Sequence, residues 1–160
     1  MEAKPVLFDP AHDWLRTLHD GSKSLASRLT IKDHRIRILI AETDPIQLEL
    51  THAVLSSDDF IVTTVSSGSE VMLELQTSIF DLLIMRLEGW QIDGFRLLPL
   101  IRATNHLKNF PILIVSSQTN PETKEEALQL GASDYLPKPI NWPELEGHIR
   151  NLIEHDWSVS

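Results

Sequence analysis

Charged and hydroxyl-bearing residues follow four of the apolar segments of this chain. They are Glu42-Thr43, Arg86, Ser116-Ser117 and Lys138. If the segments are parallel strands, their carboxyl ends meet at one edge of a sheet, where α/β proteins bind their ligands. Arg86 restricts the chemistry of such an edge most, because a guanidinium is a cation without an available lone pair and cannot act as a nucleophile.

Five short apolar segments predict the strands that must place these residues. They cover 36–41, 60–65, 80–85, 110–116 and 134–136, and the last rests mainly on its place in the series. The segments are rich in β-branched residues and mostly uninterrupted, which predicts strands buried on both faces of a parallel sheet. Between them lie stretches of helical length, and Asp44-Pro45 and Asn120-Pro121 are typical of helix starts. The sequence therefore predicts a doubly wound α/β fold with a five-stranded parallel sheet.

The chain is predicted to have three parts. Residues 1–35 form an N-terminal extension, residues 36–155 form the α/β domain, and residues 156–160 form a C-terminal tail. Within the extension, one helical stripe is predicted from Trp14, Leu15, Leu18, Leu25 and Leu29. We expect this helix to dock on the α/β domain or to pair with another chain, and a mobile extension is the alternative.

The composition argues against several classes of function. A net charge of -9 disfavours binding to nucleic acid or to an anionic membrane surface. Without Cys there is no disulfide scaffold, thiol nucleophile or thiolate metal site. No segment is apolar for long enough to span a membrane and no signal-peptide core is visible, so a cytoplasmic protein is expected. The seven His residues form no ligand pattern and no Gly-rich phosphate loop occurs, so neither a metal nor a cofactor is expected.

Several motifs, taken in order along the chain, resemble those of the receiver domain of bacterial response regulators, the CheY-like family. They are RILIAETDP, SSGSEVMLEL, FDLLIM with DGF, PILIVSS and GASDYLPKP, and together they span roughly residues 36–153. The resemblance implies a flavodoxin-like (βα)5 fold. In such receivers two acidic residues after the first strand and an Asp after the third hold Mg²⁺, and that Asp accepts phosphate. By position, Glu42 keeps the first acidic role, Ser116 and Lys138 keep the phosphate contacts, and a cis Lys138–Pro139 bond is expected.

Two positions depart from the receiver pattern. Thr43 stands where the second carboxylate is expected, and Arg86 stands at the phosphoacceptor position. Phosphoryl transfer needs an oxygen nucleophile at position 86, and Mg²⁺ needs local negative charge, so both are disfavoured. We expect Arg86 to bind Glu42 or Glu88 bidentately and to hold the loop 86–93 in one state. The alternative is that Arg86 points to solvent and contributes little.

The resemblance also implies a face for partner contacts, formed by the helix at 120–130, the fifth strand and the last helix. Its candidate members are Lys124, Tyr135, Trp142 and His148. Tyr135 matches an aromatic residue that, in many relatives, swings inward when the switch is set. A half-exposed tyrosine at the edge of the core is an equally good interpretation of Tyr135, so both stay open.

These observations predict a non-enzymatic pseudo-receiver, acting without phosphorylation as an adaptor or protein–protein interaction module in bacterial two-component signalling. Because the sequence ends soon after the last predicted helix, no output domain is expected. Output would then pass through another signalling protein, and a homodimer through the fifth-strand face or the N-terminal helix stays open. Two alternatives remain: a working phosphoreceiver that uses Asp81 or Asp93 as an unusual acceptor, and a flavodoxin-like enzyme supported only by analogy of fold.

Overall fold

The computed structural model describes residues 35–55, 57 and 59–159, with the backbone alone for residues 155–159. Five strands and five α-helices alternate in this part of the chain. The strands are β1 (Ile36–Ala41), β2 (Phe60–Val65), β3 (Leu82–Arg86), β4 (Ile112–Ser116) and β5 (Asp134–Pro137). The α-helices are α1 (Pro45–Leu55), α2 (Gly68–Thr77), α3 (Gly94–Arg102), α4 (Pro121–Leu130) and α5 (Trp142–Val159), and a 3₁₀ turn covers Asn105–Leu107.

The strands form one parallel sheet in the order β2-β1-β3-β4-β5. This confirms the predicted doubly wound fold with a five-stranded parallel sheet. From β1 the chain builds outward on one side to β2 and on the other through β3 to β5, so the order reverses beside β1. In open α/β sheets such a reversal leaves a crevice at the carboxyl ends of the two central strands. The ends of β1 and β3 therefore define the place to look for a functional site.

Two apolar clusters cover the two faces of the sheet. On one face, Leu39 and Met85 pack with side chains of α2, α3 and α4, among them Leu98. On the other face, Ile38 and Ile84 pack with side chains of α1 and α5. Successive strand residues point to opposite faces, so burial on both sides requires apolar residues at every position of a central strand. This explains the uninterrupted apolar segments of the sequence.

The strand and helix boundaries lie close to those predicted. β1 and β2 coincide with the predicted segments, whereas β3 begins two residues later than predicted and includes Arg86. Asp81 precedes β3 at the amino edge of the sheet, where its Oδ2 accepts a hydrogen bond from the Arg37 amide at 2.8 Å. Both predicted helix starts are confirmed by side-chain caps: Asp44 Oδ1 accepts from Ile46 N and Asn120 Oδ1 accepts from Thr123 N.

Two predictions about the ends of the chain have different outcomes. The predicted helical extension lies outside the described residues, apart from Arg35 at its boundary. The tail predicted to begin at residue 156 instead continues helix α5, which runs to Val159. Among the described helices, none has the length and apolar character needed to cross a membrane.

Candidate functional site

The residues predicted to share one edge of the sheet do lie there together. Glu42 follows β1, Arg86 ends β3, Ser116 ends β4 and Lys138 follows β5. The parallel register brings these ends level, because Ala41 is opposite Met85 and Ser116 is opposite Pro137. The fold therefore gathers one carboxylate, two cations and one hydroxyl at the crevice beside β1 and β3.

Glu42 is the hub of this edge. Its Oε2 accepts hydrogen bonds from Arg86 Nη1 at 3.1 Å and from the backbone amides of Thr43 and Asp44, both at 3.0 Å. Its Oε1 accepts from Lys138 Nζ at 3.2 Å. Only 7% of Glu42 is exposed, so the carboxylate is buried with a donor on each oxygen. The side chain joins both cations of the edge through opposite oxygens.

Arg86 turns back over its own loop instead of forming the bidentate pair that was predicted. A single nitrogen, Nη1, contacts Glu42 and also donates to Thr43 Oγ1. Its Nε donates to the backbone carbonyl of Glu88 at 2.7 Å, and no hydrogen bond from Arg86 to the Glu88 carboxylate occurs among the described residues. The expected salt bridge therefore forms with Glu42, the first of the two predicted partners, but through one guanidinium nitrogen. Glu88 contributes its backbone carbonyl to the guanidinium. The alternative of an unattached Arg86 is excluded as well.

Two glycines allow the chain to follow this path after β3. Gly89 has a φ of +154°, and a Cβ at that position would lie 3.3 Å from Arg86 Nε and 3.1 Å from the Ile92 carbonyl. A Cβ on Gly94 would lie 2.8 Å from the Arg86 carbonyl oxygen. The Gly94 amide instead donates to the Leu87 carbonyl at 2.8 Å. Glycine therefore lets the loop close tightly around Arg86 before helix α3 begins.

A chain of hydrogen bonds links the edge to the fifth strand. The Lys138 amide donates to the Ser116 carbonyl at 2.8 Å, and Ser116 Oγ accepts from the Gln118 amide at 3.0 Å. The Tyr135 hydroxyl then donates to the Gln118 carbonyl at 2.7 Å. Tyr135 is only 5% exposed, which corrects the expectation of a half-exposed ring. No residue pattern points to Gln118, because it acts through its backbone amide and carbonyl and not through its side chain.

The residues predicted to form a partner face differ in what they present. Lys124 is exposed on α4, whereas Trp142 is half-buried and packs against the apolar cluster beneath α1 and α5. His148 is also half-buried, with Nδ1 2.5 Å from Asp134 Oδ2. Because Tyr135 is buried, its ring contributes little surface to this face. The Lys138–Pro139 peptide bond next to β5 is cis, as expected.

The charges at the edge limit what it can do. Arg86 and Lys138 face one carboxylate, Glu42, so the three paired side chains carry a net positive charge. No group of three or more His, Asp or Glu side chains suited to hold a metal ion occurs in the described part of the chain. The arrangement is that of an ion-paired cluster, with a cation at the end of β3.

Comparison with known proteins gives one consistent family. The family model described as "Response regulator receiver domain" matches residues 38–150. The chain is 29% identical over 124 residues to the transcriptional regulatory protein ZraR of Escherichia coli (strain K12), covering 78% of this chain and 28% of that protein. It is 34% identical over 125 residues to the two-component response regulator-like APRR9 of Arabidopsis thaliana, covering 76% of this chain and 26% of that one.

A solved structure supports the same grouping. The receiver domain of the sensor histidine kinase PA1611 from Pseudomonas aeruginosa PAO1, solved with a magnesium ion coordinated in its active site cleft, superposes with a TM-score of 0.69. The identity is 27%, and the match covers 75% of this chain and 98% of that one. The chain spans between a quarter and a third of the two curated relatives named above. The match over most of this chain shows that it belongs to the response regulator receiver domains, the CheY-like modules of two-component signalling.

Proposed function

We propose that this chain is a pseudo-receiver: a non-enzymatic receiver domain that works without phosphorylation as a protein–protein interaction module. The observation that carries the proposal is the place of Arg86 at the end of β3, paired to Glu42. In receivers this position holds the Asp that accepts phosphate. A guanidinium has no available lone pair with which to attack phosphorus, so the usual acyl phosphate cannot form at this residue.

Neither Asp81 nor Asp93, the two aspartates considered as unusual acceptors, is well placed to take over the role of acceptor. Asp81 lies at the amino edge of the sheet, hydrogen-bonded to Arg37 N. Arg86 lies five positions after Asp81 along the extended chain, which corresponds to about 16 Å at the rise of a strand. Asp93 occupies the N-cap position of α3, beyond the loop that follows Arg86. In-line transfer needs the acceptor oxygen beside the groups that bind the phosphoryl oxygens, and those groups follow β4 and β5.

The residues at the edge do not fit the Mg²⁺ ion that the family implies. Mg²⁺ prefers carboxylate and water oxygens in an octahedral shell. Among the described residues, Glu42 is the one acidic side chain whose carboxylate bonds to Arg86 and Lys138, and both of its oxygens already accept hydrogen bonds from these cations. Thr43 Oγ1 is occupied by Arg86 Nη1. A divalent cation would have to displace a guanidinium and an ammonium group that have the same sign of charge.

The ion pair also suggests a switch that is fixed in one state. Arg86 and Lys138 are joined through Glu42, and Lys138 is joined through Ser116 and Gln118 to Tyr135 by consecutive hydrogen bonds. In many receivers, as the resemblance implies, the aromatic residue at this position swings inward when the switch is set. In this chain Tyr135 is already buried, with its hydroxyl bonded. We infer that the internal ion pair takes the place of metal and phosphate in holding this arrangement.

Output would then depend on which protein binds. The face formed by α4, β5 and α5 offers Lys124 as an exposed cation, with Trp142 and His148 partly accessible. Another signalling protein is the proposed partner, and a second copy of the chain bound at the same face is the other arrangement to be tested.

The test is incubation with a small phosphodonor and Mg²⁺, followed by the mass of the intact protein. The proposal predicts no added phosphate, because the position at the end of β3 has no oxygen nucleophile. A matched variant, Thr43→Asp with Arg86→Asp, restores two carboxylates to the edge and serves as the positive control for donor and metal. A phosphate adduct on the natural chain would show a working phosphoreceiver and overturn the proposal.

A further inference from the structure

Helix α4 has less apolar packing to hold it in place than its neighbour α3. Ala127 is the one buried residue of α4, and Leu130 is half-buried against the same apolar cluster. Helix α3 buries three large apolar side chains in that cluster: Leu97, Leu98 and Ile101. Strand β5, which follows α4, lies at the edge of the sheet with β4 as its one neighbouring strand. Because elements with few buried apolar contacts open most easily, α4 and β5 need another anchor.

Arg102, the last residue of α3, provides a polar anchor at the amino edge of the sheet. Its Nη1 donates to the Leu107 carbonyl of the 3₁₀ turn at 2.8 Å. Its Nε and Nη2 donate to the Gly131 carbonyl, which follows α4, at 2.9 and 2.7 Å. Nη2 also lies 3.4 Å from Ser133 Oγ, which accepts from the Ile112 amide at 2.9 Å. One side chain therefore joins the ends of α3 and α4, the 3₁₀ turn and the residue before β5.

The surroundings of this guanidinium suit a cation. The Gly131 carbonyl lies at the carboxyl end of α4, the negative end of the helix dipole, where a positive side chain is favoured. Gly131 has a φ of +126°, and a Cβ there would lie 2.6 Å from Arg102 Cγ, so the loop closes directly on the arginine. No carboxylate pairs with Arg102 in the described part of the chain, and burial lowers the pKa of its guanidinium below the ordinary value. Backbone carbonyls therefore take the place of a counter-ion.

We propose that Arg102 is a second lock on the switch, which holds α4 and β5 from the amino edge in the arrangement that buries Tyr135. Tyr135 lies two residues after Ser133, so the start of its strand is tied to Arg102. The other end of β5 is tied at the carboxyl edge, where Lys138 donates to Glu42. The inference rests on the proposed function, because a lock on these elements matters only if they form the face that binds partners. It adds that this face is preformed, so a partner binds without first ordering α4 and β5.

The experiment is hydrogen exchange of Arg102→Ala compared with the natural chain. The amides of Ala132 and Ser133 donate to the carbonyls of Ala127 and Ile112, so their exchange reports opening at the end of α4 and the start of β5. Exchange of these two amides is expected to become about tenfold faster or more, because charge-assisted hydrogen bonds that close the loop are lost.

Two further readouts separate a lock from a general loss of stability. The loop 86–93 is expected to exchange as in the natural chain, because no hydrogen bond of Arg102 among the described residues reaches it. The NMR signals of the Tyr135 ring are expected to double or broaden in Arg102→Ala, as the released strand samples a second arrangement. Arg96→Ala removes an exposed arginine from α3 and is the control, expected to change neither readout.

Unchanged exchange at Ala132 and Ser133, or exchange that rises equally in all strands, would overturn the second lock. If Arg102→Ala does not fold, Arg102→Lys provides the same comparison, because one ammonium group does not reproduce the separate donors of a guanidinium. A smaller acceleration confined to the same amides is then expected. The phosphodonor experiment tests the proposed function separately. A phosphate adduct on the natural chain overturns the pseudo-receiver, whereas an unmodified mass with unchanged exchange overturns only the lock.

Discussion

The two halves of the carboxyl edge agree with the receiver pattern to different degrees. On the β4–β5 half, the matching half, Ser116, Lys138 and the buried Tyr135 are the residue types predicted from the receiver motifs, and a cis bond precedes Pro139. On the β1–β3 half, the altered half, the motifs predict carboxylates at the positions of Thr43 and Arg86. Glu42 belongs to the altered half by position, yet it bonds to Lys138 of the other. This hydrogen bond therefore links the altered half to the matching half.

This difference distinguishes residues needed for chemistry from residues needed for shape. The receiver motifs predict a carboxylate at position 86, and the fold accommodates a guanidinium there because Arg86 finds three partners: Glu42, Thr43 and the Glu88 carbonyl. The β4–β5 half is different, because Ser116 and Tyr135 are buried and bonded through Gln118. Replacing these would remove the partners of the Gln118 amide and carbonyl.

The largest effect is expected from Glu42→Ala, which removes the group that joins the two halves. Two cations would lose their counter-charge, and the amides of Thr43 and Asp44 would lose their acceptor. We expect the free energy of unfolding to fall by about 3 kcal/mol, measured by urea denaturation. Glu49→Ala, on the exposed side of α1, is the control. A loss at Glu42 no larger than at Glu49 would mean that the halves are not joined energetically.

A smaller effect is expected from Gly89→Ala, which disturbs the altered half without changing its charges. Gly89 has a positive φ that residues with a Cβ rarely adopt, and the added Cβ would lie 3.3 Å from Arg86 Nε. We expect a loss of roughly 1–2 kcal/mol in the free energy of unfolding, together with weaker protection of the loop after β3. At Gly68 a Cβ meets only ordinary contacts of 3.5 Å or more, so Gly68→Ala should be close to neutral. Similar effects at both glycines would contradict the tight fit around Arg86.

Tyr135→Phe tests the matching half and should have the smallest effect on stability. The ring stays buried, but the hydrogen bond to the Gln118 carbonyl is lost. We expect a decrease of about 1 kcal/mol in the free energy of unfolding. The amide resonances of Gln118 and Ser116 should shift more than those of Arg86 and Glu88, which lie further along the bonded path. Shifts spread evenly over both halves would show that the edge responds as one unit.

Much of the fold could be predicted because the residues that form the sheet are apolar on both faces. The segments at 36–41 and 60–65 gave the bounds of β1 and β2, since unbroken burial leaves an unbroken apolar pattern. The start of β3 was misplaced because Phe80 is apolar and buried without belonging to the strand. The apolar pattern of the sequence indicates which residues are buried. Buried residues also occur just outside the hydrogen-bonded strand, so the pattern does not mark where the strand begins.

The site could be predicted only in part, for a different reason. The places of Glu42, Arg86, Ser116 and Lys138 followed from the strand ends. The partners of Arg86 did not, because one is a backbone carbonyl and another is the hydroxyl of Thr43. The role of Gln118 likewise rests on its amide and carbonyl. A backbone carbonyl or amide does not depend on the type of residue that carries it. The sequence therefore does not show which one pairs with a side chain, and only the path of the loop reveals it.

The most direct test of the fixed switch is hydrogen exchange of Arg86→Ala compared with the natural chain. We expect faster exchange in the loop 86–93 of Arg86→Ala, because Arg86 holds that loop through the Glu88 carbonyl and Glu42. We also expect faster exchange at Gln118, which lies on the bonded path to Tyr135. Arg96→Ala, an exposed arginine on α3, is the control and should leave both unchanged. Unchanged protection of the loop 86–93 in Arg86→Ala would contradict the claim that this ion pair fixes the switch.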